Sequence, residues 1–443
     1  MAVRLMRLAF RVLALLLPIS SAALADDQEQ CFKAEGQDSI TACMRLIESG
    51  KLQGHELAVV HLSSGLAWSK LGDLGRAIQK YSEAIQVDPS YVIALNNRCA
   101  VYNRQREFDR AIQDCERAIS LDSSYVNAYV GRGDAHRLKG DYDRAVLDYD
   151  QALGLNPKSI TALTGRAQTY TAKRSYDNAL RDYNSVIELD KNNAVAFNDR
   201  GVVYTDIRDF DAAIHDFGEA IRLDQTYELA FGNRCSAYNS KLKYDLAIQD
   251  CNRAIQLNPM NASACVNRGQ ANRRNGAYQQ AIQDYDLAIQ FVPNSENAFF
   301  GRALAYQGEG EYDRAIQDYN KVIQLTPQDA IAWNNRCWAR AMVGQLELAL
   351  SDCNESLRLS PNYPFTLDSR AIVYLKSKDW DRAISDYNQA LEARPNNASS
   401  LYGRGVAKLK KGGDNISGGN ADLRKAQEIQ VDIAEEFKRY GVQ

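Results

Sequence analysis

The sequence predicts an all-α fold, a solenoid of stacked antiparallel helix pairs on a 34-residue period. Three recurrences lead there. Arg returns at positions 98, 132, 166, 200, 234, 268, 302, 336, 370 and 404. Asp returns at 114, 148, 182, 216, 250, 284, 318, 352 and 386, and Ala returns once in each of ten repeats from Ala77 to Ala383. A unit of this length with two amphipathic segments cannot bury its apolar face alone, whereas stacked copies can.

The chain opens with a segment that reads as a leader. Arg4, Arg7 and Arg11 precede a short apolar run, Val12 to Ile19, and Ala23-Leu24-Ala25 supplies a small-x-small cleavage pattern. The run is too short to span a bilayer, and no other stretch approaches the ~18 apolar residues a span needs. We therefore expect residues 1–25 to be a signal peptide and the mature chain to begin near Asp26, periplasmic or secreted. Residues 26–57, with Cys31 and the stretch ITACMRLIESG, read as a degenerate opening helix pair.

Ten repeats then run from Ala58 to Asn397. Positions 1–14 of each predict a first helix and positions 17–30 a second, the latter opened by an aromatic such as Phe108, Tyr142 or Trp380. Gly140, Gly276, Gly310 and Gly344 mark the turn between them. Pro89, Pro157, Pro259, Pro293, Pro327, Pro361 and Pro395 follow the second helix, where Pro is no longer inside one. After Ala398, SLYGRGVAKLKKGG begins an eleventh repeat, the glycines of GGDNISGG are expected to loosen it, and DIAEEFKRYGV reads as a closing amphipathic helix. Atypical ends of this kind keep a solenoid soluble and predict a monomer.

The repeat AYVGRGDAHRLKGDYDRAVLDYDQALGLNP (Ala128 to Pro157) resembles a tetratricopeptide repeat (TPR), and the resemblance extends over all ten copies, about three quarters of the chain. Within that family it resembles exported proteins of Gram-negative bacteria, whose units often read RGxAY…GDYDRAIxDYxxAI. It departs from the broad pattern at position 7, where Arg replaces the usual Leu. The resemblance implies a right-handed superhelix whose first helices line a concave groove, chiefly through positions 2, 5, 9, 12 and 13.

The cysteines follow the period. Cys99, Cys235 and Cys337 fall at position 8, and Cys115, Cys251 and Cys353 at position 24; Cys stands at both positions or at neither. Elsewhere position 8 is Gly or Ala and position 24 is Tyr or Phe, so the two positions face each other across the hairpin, one small and one large. Packed helix axes leave facing Cα atoms roughly 4–5 Å apart, and a disulfide needs about 4.4–6.8 Å. Zinc would want four ligands, with no His near these pairs, and a redox couple would usually show CxxC, which is absent. An exported chain meets oxidising conditions, so three disulfides are expected, with Cys31–Cys43 as a fourth. Of nine cysteines this leaves Cys265, at a first-helix core position, as a small buried hydrophobe.

The Arg at position 7 and the Asp at position 23 also face each other. They read either as an Arg-lined groove for acidic peptides or as a structural pair locking the helices, and the recurring Asp favours the second. The net charge of −3, or −6 without the three leader arginines, argues against nucleic acid as a bulk electrostatic partner. The basic run Lys408 to Lys411 reads as a solvated loop edge. The four His (His55, His61, His136, His215) do not cluster, and His61 and His136 sit at core positions. No phosphate loop, HExxH or GxSxG motif is present, so neither cofactor, metal nor catalysis is expected.

Groove positions implied by the resemblance change along the chain. Early repeats present Asn96, Asn103, Arg104, Asp134, Arg137, Gln168, Asn198 and Asp206. Later ones present Phe300, Leu304, Trp338, Met342, Phe365, Ile372, Leu375 and Tyr402, the side-chain types that anchor interfaces. They are either partner anchors, with Trp338 foremost because it has no evident core role, or a patch that the closing helix folds back to cover. The expected function is an exported scaffold holding a protein or peptide in its groove, in cell-envelope assembly. A non-enzymatic carbohydrate- or peptidoglycan-associated factor is the alternative, left open by the Asn-rich early repeats and Trp338.

Overall fold

The computed structural model describes residues 21–442; the leader segment expected at residues 1–25 therefore lies largely outside the described residues. Among these residues there are 25 α-helices and no strand. The chain divides into two compact bodies, at Ile207/Arg208.

The N-terminal body holds α1 (Ser21–Lys33), α2 (Gly36–Glu48), α3 (Gly54–Lys70), α4 (Leu74–Val87), α5 (Val92–Arg104), α6 (Phe108–Leu121), α7 (Val126–Lys139), α8 (Tyr142–Leu155), α9 (Ile160–Ala172), α10 (Tyr176–Leu189) and α11 (Ala194–Asp206). The C-terminal body holds α12 (Phe210–Leu223), α13 (Glu228–Ser240), α14 (Tyr244–Leu257), α15 (Ala262–Arg274), α16 (Tyr278–Phe291), α17 (Glu296–Gly308) and α18 (Tyr312–Leu325). It continues with α19 (Ala330–Met342), α20 (Leu346–Leu359), α21 (Pro364–Lys376), α22 (Trp380–Ala393), α23 (Ala398–Lys411), α24 (Asn415–Ile429) and α25 (Ile433–Arg439). Inside each body consecutive helices pack as antiparallel neighbours, and first helices also touch the next first helix, as α5 does α7 and α19 does α21. Each body therefore has a continuous face made of first helices.

The turn inside each pair has one conformational requirement. Position 15 is left-handed in every repeat: Gly72, Gly140, Gly276, Gly310 and Gly344 have φ between 78° and 88°. Arg106, Arg174, Arg208, Leu242 and Lys378 hold the same place with φ between 57° and 65°, a region that costs an L-residue roughly 1–2 kcal/mol. The following residue then caps the second helix. Asp73, Asp141, Asp209 and Asp379 accept the backbone N–H three residues on, satisfying one of the donors a helix start leaves open.

Packing explains why the sequence alternates small and large residues. The repeated Ala from Ala77 to Ala383 has no exposed surface in any of the ten repeats, so neighbouring atoms close over it on every side. Tyr149 is sandwiched between Gly133 of its own pair and Gly165 of the next: a Cβ added at those glycines would meet its ring at 2.9 and 2.6 Å. A fully buried aromatic of this kind contributes about 1.5–3 kcal/mol. Where Cys replaces Tyr, the sulfurs fill the same space, and a Cβ on Gly131 would meet Cys115 Sγ at 2.8 Å.

The cysteine pairs meet at bonding distance. Cys99–Cys115, Cys235–Cys251 and Cys337–Cys353 have Cα separations of 5.8, 5.5 and 5.4 Å, and Cys31–Cys43 of 4.8 Å. Cys265 is unpaired and fully buried. The first three join the two helices of one hairpin; the fourth joins α1 to α2, which Arg45 Nε reinforces by donating to Asp27 at 2.7 Å.

Two expectations at the C-terminal end are corrected. The glycines of residues 412–419 do not loosen the last pair, since α24 begins at Asn415 and runs through Gly418 and Gly419. There a Cβ on Gly419 would lie 3.0 Å from the Gly405 carbonyl oxygen, so the absent side chains let α23 and α24 touch backbone to backbone. The lysines 408–411 form the last turn of α23 rather than a loop edge, and Lys408 pairs with Asp422 at 2.8 Å.

Candidate partner-binding face

The repeated arginines are committed to structure. Arg98 grips Asp114 through Nε and Nη2, both at 2.7 Å; Arg234 holds Asp250 at 2.7 and 2.8 Å, and Arg336 holds Asp352 at 2.9 and 2.7 Å. The remaining nitrogen reaches back sixteen residues to the preceding repeat: Arg98 Nη1 donates to Ser82 at 2.8 Å, Arg336 Nη1 to Asn320 at 2.7 Å and Arg370 Nη1 to Asn354 at 2.8 Å. One guanidinium thus closes its own hairpin and fastens it to its neighbour, a bidentate geometry that Lys could not reproduce. Arg404 finds Asp422, eighteen residues on, because α24 starts later than its counterparts.

In the N-terminal body the face of α7, α9 and α11 forms an open polar cleft. Its cavity, about 490 Å³, is lined by Val130, Asp134, Arg137, Thr161, Thr164 and Gln168 among others. Asp134 accepts the Tyr149 hydroxyl at 2.7 Å and lies 3.3 Å from Arg137 Nη2. The Tyr side chain of the second helix therefore passes through the pair and orders the polar groups on the opposite face. Gln168 Nε2 donates to Asp199 at 3.4 Å, and burial pushes the Asp199 carboxyl above its usual range despite that bond and one from Asn198. Other early candidates are consumed internally. Asn103 Nδ2 donates to the Gly131 carbonyl at 2.8 Å, as Asn239 does to that of Asn267, and Arg104 reaches Ser69 Oγ at 2.9 Å.

The apolar candidates of the C-terminal body divide. Ile372 is 1 % exposed and lies in one core cluster with Leu375, Ile433, Phe437 and Val442, so it is a core residue and not an accessible anchor. Trp338 and Met342 pack against the same cluster; Trp338 meets the Tyr440 ring edge-on at 4.9 Å, and Tyr402 lies 4.8 Å from Phe437. The expectation that Trp338 has no packing role is corrected, because the segment after α24 folds back onto this face. Phe300 and Leu304 remain half-buried on α17, Phe300 against Tyr319 at 5.9 Å. Phe365 is 48 % exposed, with the Arg394 guanidinium 4.4 Å above its ring.

Among the titratable groups, burial pushes His61 and His136 below the ordinary imidazole value, in agreement with their core positions. A second cavity, about 940 Å³ between α6, α7 and α8, is lined by charges already engaged, Arg132 with Asp148 and Lys139 with Asp109. Among the described residues no three His, Cys, Asp or Glu side chains are placed to hold a metal ion, and no helix is long and apolar enough to cross a membrane.

Family models described as tetratricopeptide repeat match residues 92–125, 126–159 and 296–329, residues 160–193 and 194–227, and residues 240–296; one described as TPR repeat matches 371–412. Together they cover more than half of the chain. The match at residue 92 begins where the repeat counted from Ala58 begins again. No curated protein matches the chain in sequence. Among solved structures, the fold is similar to the APC/C hetero-tetramer Cut9–Hcn1 (15 % identity, 87 % of this chain and 86 % of that one, TM-score 0.49). It is also similar to the MamA protein (27 % identity, 40 % and 96 %, TM-score 0.35) and to Pseudomonas aeruginosa pilF (20 % identity, 46 % and 93 %, TM-score 0.42).

Proposed function

The chain belongs to the tetratricopeptide-repeat family and is a protein-interaction scaffold, and from that premise we propose that it is an exported one, holding a peptide segment of a protein partner in the cleft of α7, α9 and α11 during cell-envelope assembly. The cleft carries the reading. It joins a charged pair, Asp134 and Arg137, to the hydroxyl and amide groups of Thr161, Thr164 and Gln168 on one open surface. Side chains of this kind can satisfy the backbone N–H and C=O groups of an extended peptide, while Val130 supplies apolar contact. Export is supported by the leader-like segment and by four cysteine pairs suited to an oxidising compartment. No catalytic step enters this reading. The carbohydrate reading loses the aromatic it leaned on, since Trp338 packs edge-on against Tyr440.

The test selects peptides from a displayed random library on the wild-type chain and measures the best binder against two variants. Thr164→Trp fills the cleft and Gln168→Ala removes a donor at its centre. We expect a loss of at least tenfold for Thr164→Trp and a smaller loss for Gln168→Ala, with helix content unchanged. Binders indifferent to both would place the binding surface elsewhere.

A further inference from the structure

We propose that the first-helix face of α19, α21 and α23 is a groove for an amphipathic helix with aromatic anchors, and that α25 with Tyr440 and Val442 is its intramolecular ligand. The location of the segment carries the idea. A helix that only sealed the end of the stack would need the surface of the last pair. α25 does pack on that pair, α23 and α24, but its C-cap residue goes further: Tyr440 meets Trp338 on α19, two pairs earlier, and its carbonyl accepts from Lys376 Nζ on α21 at 2.8 Å.

The contacts are those of a helix laid in a groove. Ile433 and Phe437, one turn apart, have no exposed surface, and Tyr440 follows three residues later against Trp338 and Phe437. Glu435, Lys438 and Arg439 point to solvent. Residues at i, i+4 and i+7 on one face are how amphipathic helices are read by apolar grooves. The groove contributes Trp338, Ile372, Leu375 and Tyr402, all at repeat positions that face the neighbouring first helices. It ends at the Lys376 ammonium, which meets a carbonyl at the helix C-terminus, where positive charge is favourable.

The segment is built to exchange. α25 has seven residues, and three residues (430–432) tether it to α24. A helix so short is unstable on its own, so its packing against α24 and the groove keeps it folded. A partner presenting the same pattern, Ile-x-x-x-Phe-x-x-Tyr, on a longer helix would compete for the same anchors. The tether gives the cis segment a high effective concentration, so only a partner with more contacts displaces it. The proposal rests on the scaffold reading, but its test uses the chain's own residues.

The probe is a fluorescein-labelled peptide of residues 430–443, titrated by anisotropy into the full-length chain. Wild type should bind it weakly, because its own segment occupies the groove. Phe437→Ser and the milder Tyr440→Ala should each bind it at least tenfold more tightly, and adding Trp338→Ala to Tyr440→Ala should remove that gain. Equal affinity for wild type and both variants, or no binding to a Tyr440→Ala chain of unchanged helix content, would overturn the proposal. Should Phe437→Ser unfold the body, Tyr440→Ala alone decides, since Tyr440 is only partly buried. A peptide selected on the α7–α9–α11 cleft should be indifferent to all three substitutions, so this groove and that cleft succeed or fail separately.

Discussion

Replacing Arg234 by Leu tests what the arginine ladder is for. Arg234 makes two bonds to Asp250, at 2.7 and 2.8 Å, and lies 5.9 Å from each of the rings of Phe231 and Tyr238. Gly218 occupies the place from which other repeats offer a side-chain acceptor; a Cβ there would sit 3.6 Å from Arg234 Nη1. The pair is intermediate in burial, with side chains 22 % and 10 % exposed. Its worth should therefore fall between the ~0–1 kcal/mol of a surface pair and the ~3–5 kcal/mol lost on breaking a buried one. We expect Arg234→Leu to cost about 2 kcal/mol, nearly all of it from leaving Asp250 desolvated without a partner. For a body of this size that is a fall of about 4–8 °C in Tm. Arg234→Leu with Asp250→Asn should recover at least half, because the stranded charge is gone. Asp250→Asn alone should cost less than Arg234→Leu, since the more exposed guanidinium can turn to water. Cys235 and Cys251 adjoin the two residues, and their disulfide keeps Arg234 near Asp250 even in the unfolded chain, so reduction should enlarge the measured coupling. The assay is thermal and urea unfolding of the four chains of the cycle. A double variant no more stable than Arg234→Leu would refute the coupling.

Two further outcomes follow from the same geometry. Peptide mapping without reduction, on chain recovered from cell envelope and cut near Asp26, should link Cys99 to Cys115, Cys235 to Cys251, Cys337 to Cys353 and Cys31 to Cys43. Each hairpin link joins cysteines with a sequence separation of 16 and should be worth about 3 kcal/mol, and alkylation of these thiols in the folded protein, rather than of Cys265 alone after unfolding, would sink the assignment. Asp368, 16 % exposed beside Ser400, with Arg394 3.9 Å away, has its carboxyl pushed up to about 6 by burial. A folded value above the unfolded one means its contribution to stability is full below about pH 4 and is lost as pH rises through about 6. Asp368→Asn should then stabilise the chain at pH 7.5, by at most about 3 kcal/mol, and confer little at pH 4; a variant equally stabilising at both values would contradict this.

The fold was legible because it repeats. A 34-residue spacing of Arg, Asp and Ala is a statement about packing made ten times over, and the helix limits, the small-against-large pairing at positions 8 and 24 and the cysteine pairs all follow from it. What resisted reading were features that break the period or need no particular residue. The left-handed residue at position 15 is Gly in some repeats and Arg, Leu or Lys in others, because the flanking helices over-determine the turn. The Arg404–Asp422 pair hides behind a two-residue shift. The Tyr149 hydroxyl contributes to the cleft from the second helix, through a buried ring that any packing argument explains without its oxygen.

The apolar patch shows the limit most clearly, and also its cause. Position within the repeat places Trp338, Met342, Ile372 and Tyr402 on one face, and the structure has them there, in or against a single cluster. Position within the repeat says nothing of what else comes to that face, because Ile433, Phe437 and Tyr440 belong to no repeat and their destination is a long-range contact. Yet the two segments are complementary when read together. The later repeats are apolar where the earlier ones are polar, and the only amphipathic helix outside the period among the described residues of the C-terminal body follows them directly. A face that turns apolar over three helix pairs, beside a helix with no pair of its own, carries its own ligand; on the polar cleft of α7, α9 and α11 no such segment folds back among the described residues, which is why the proposed partner site is placed there.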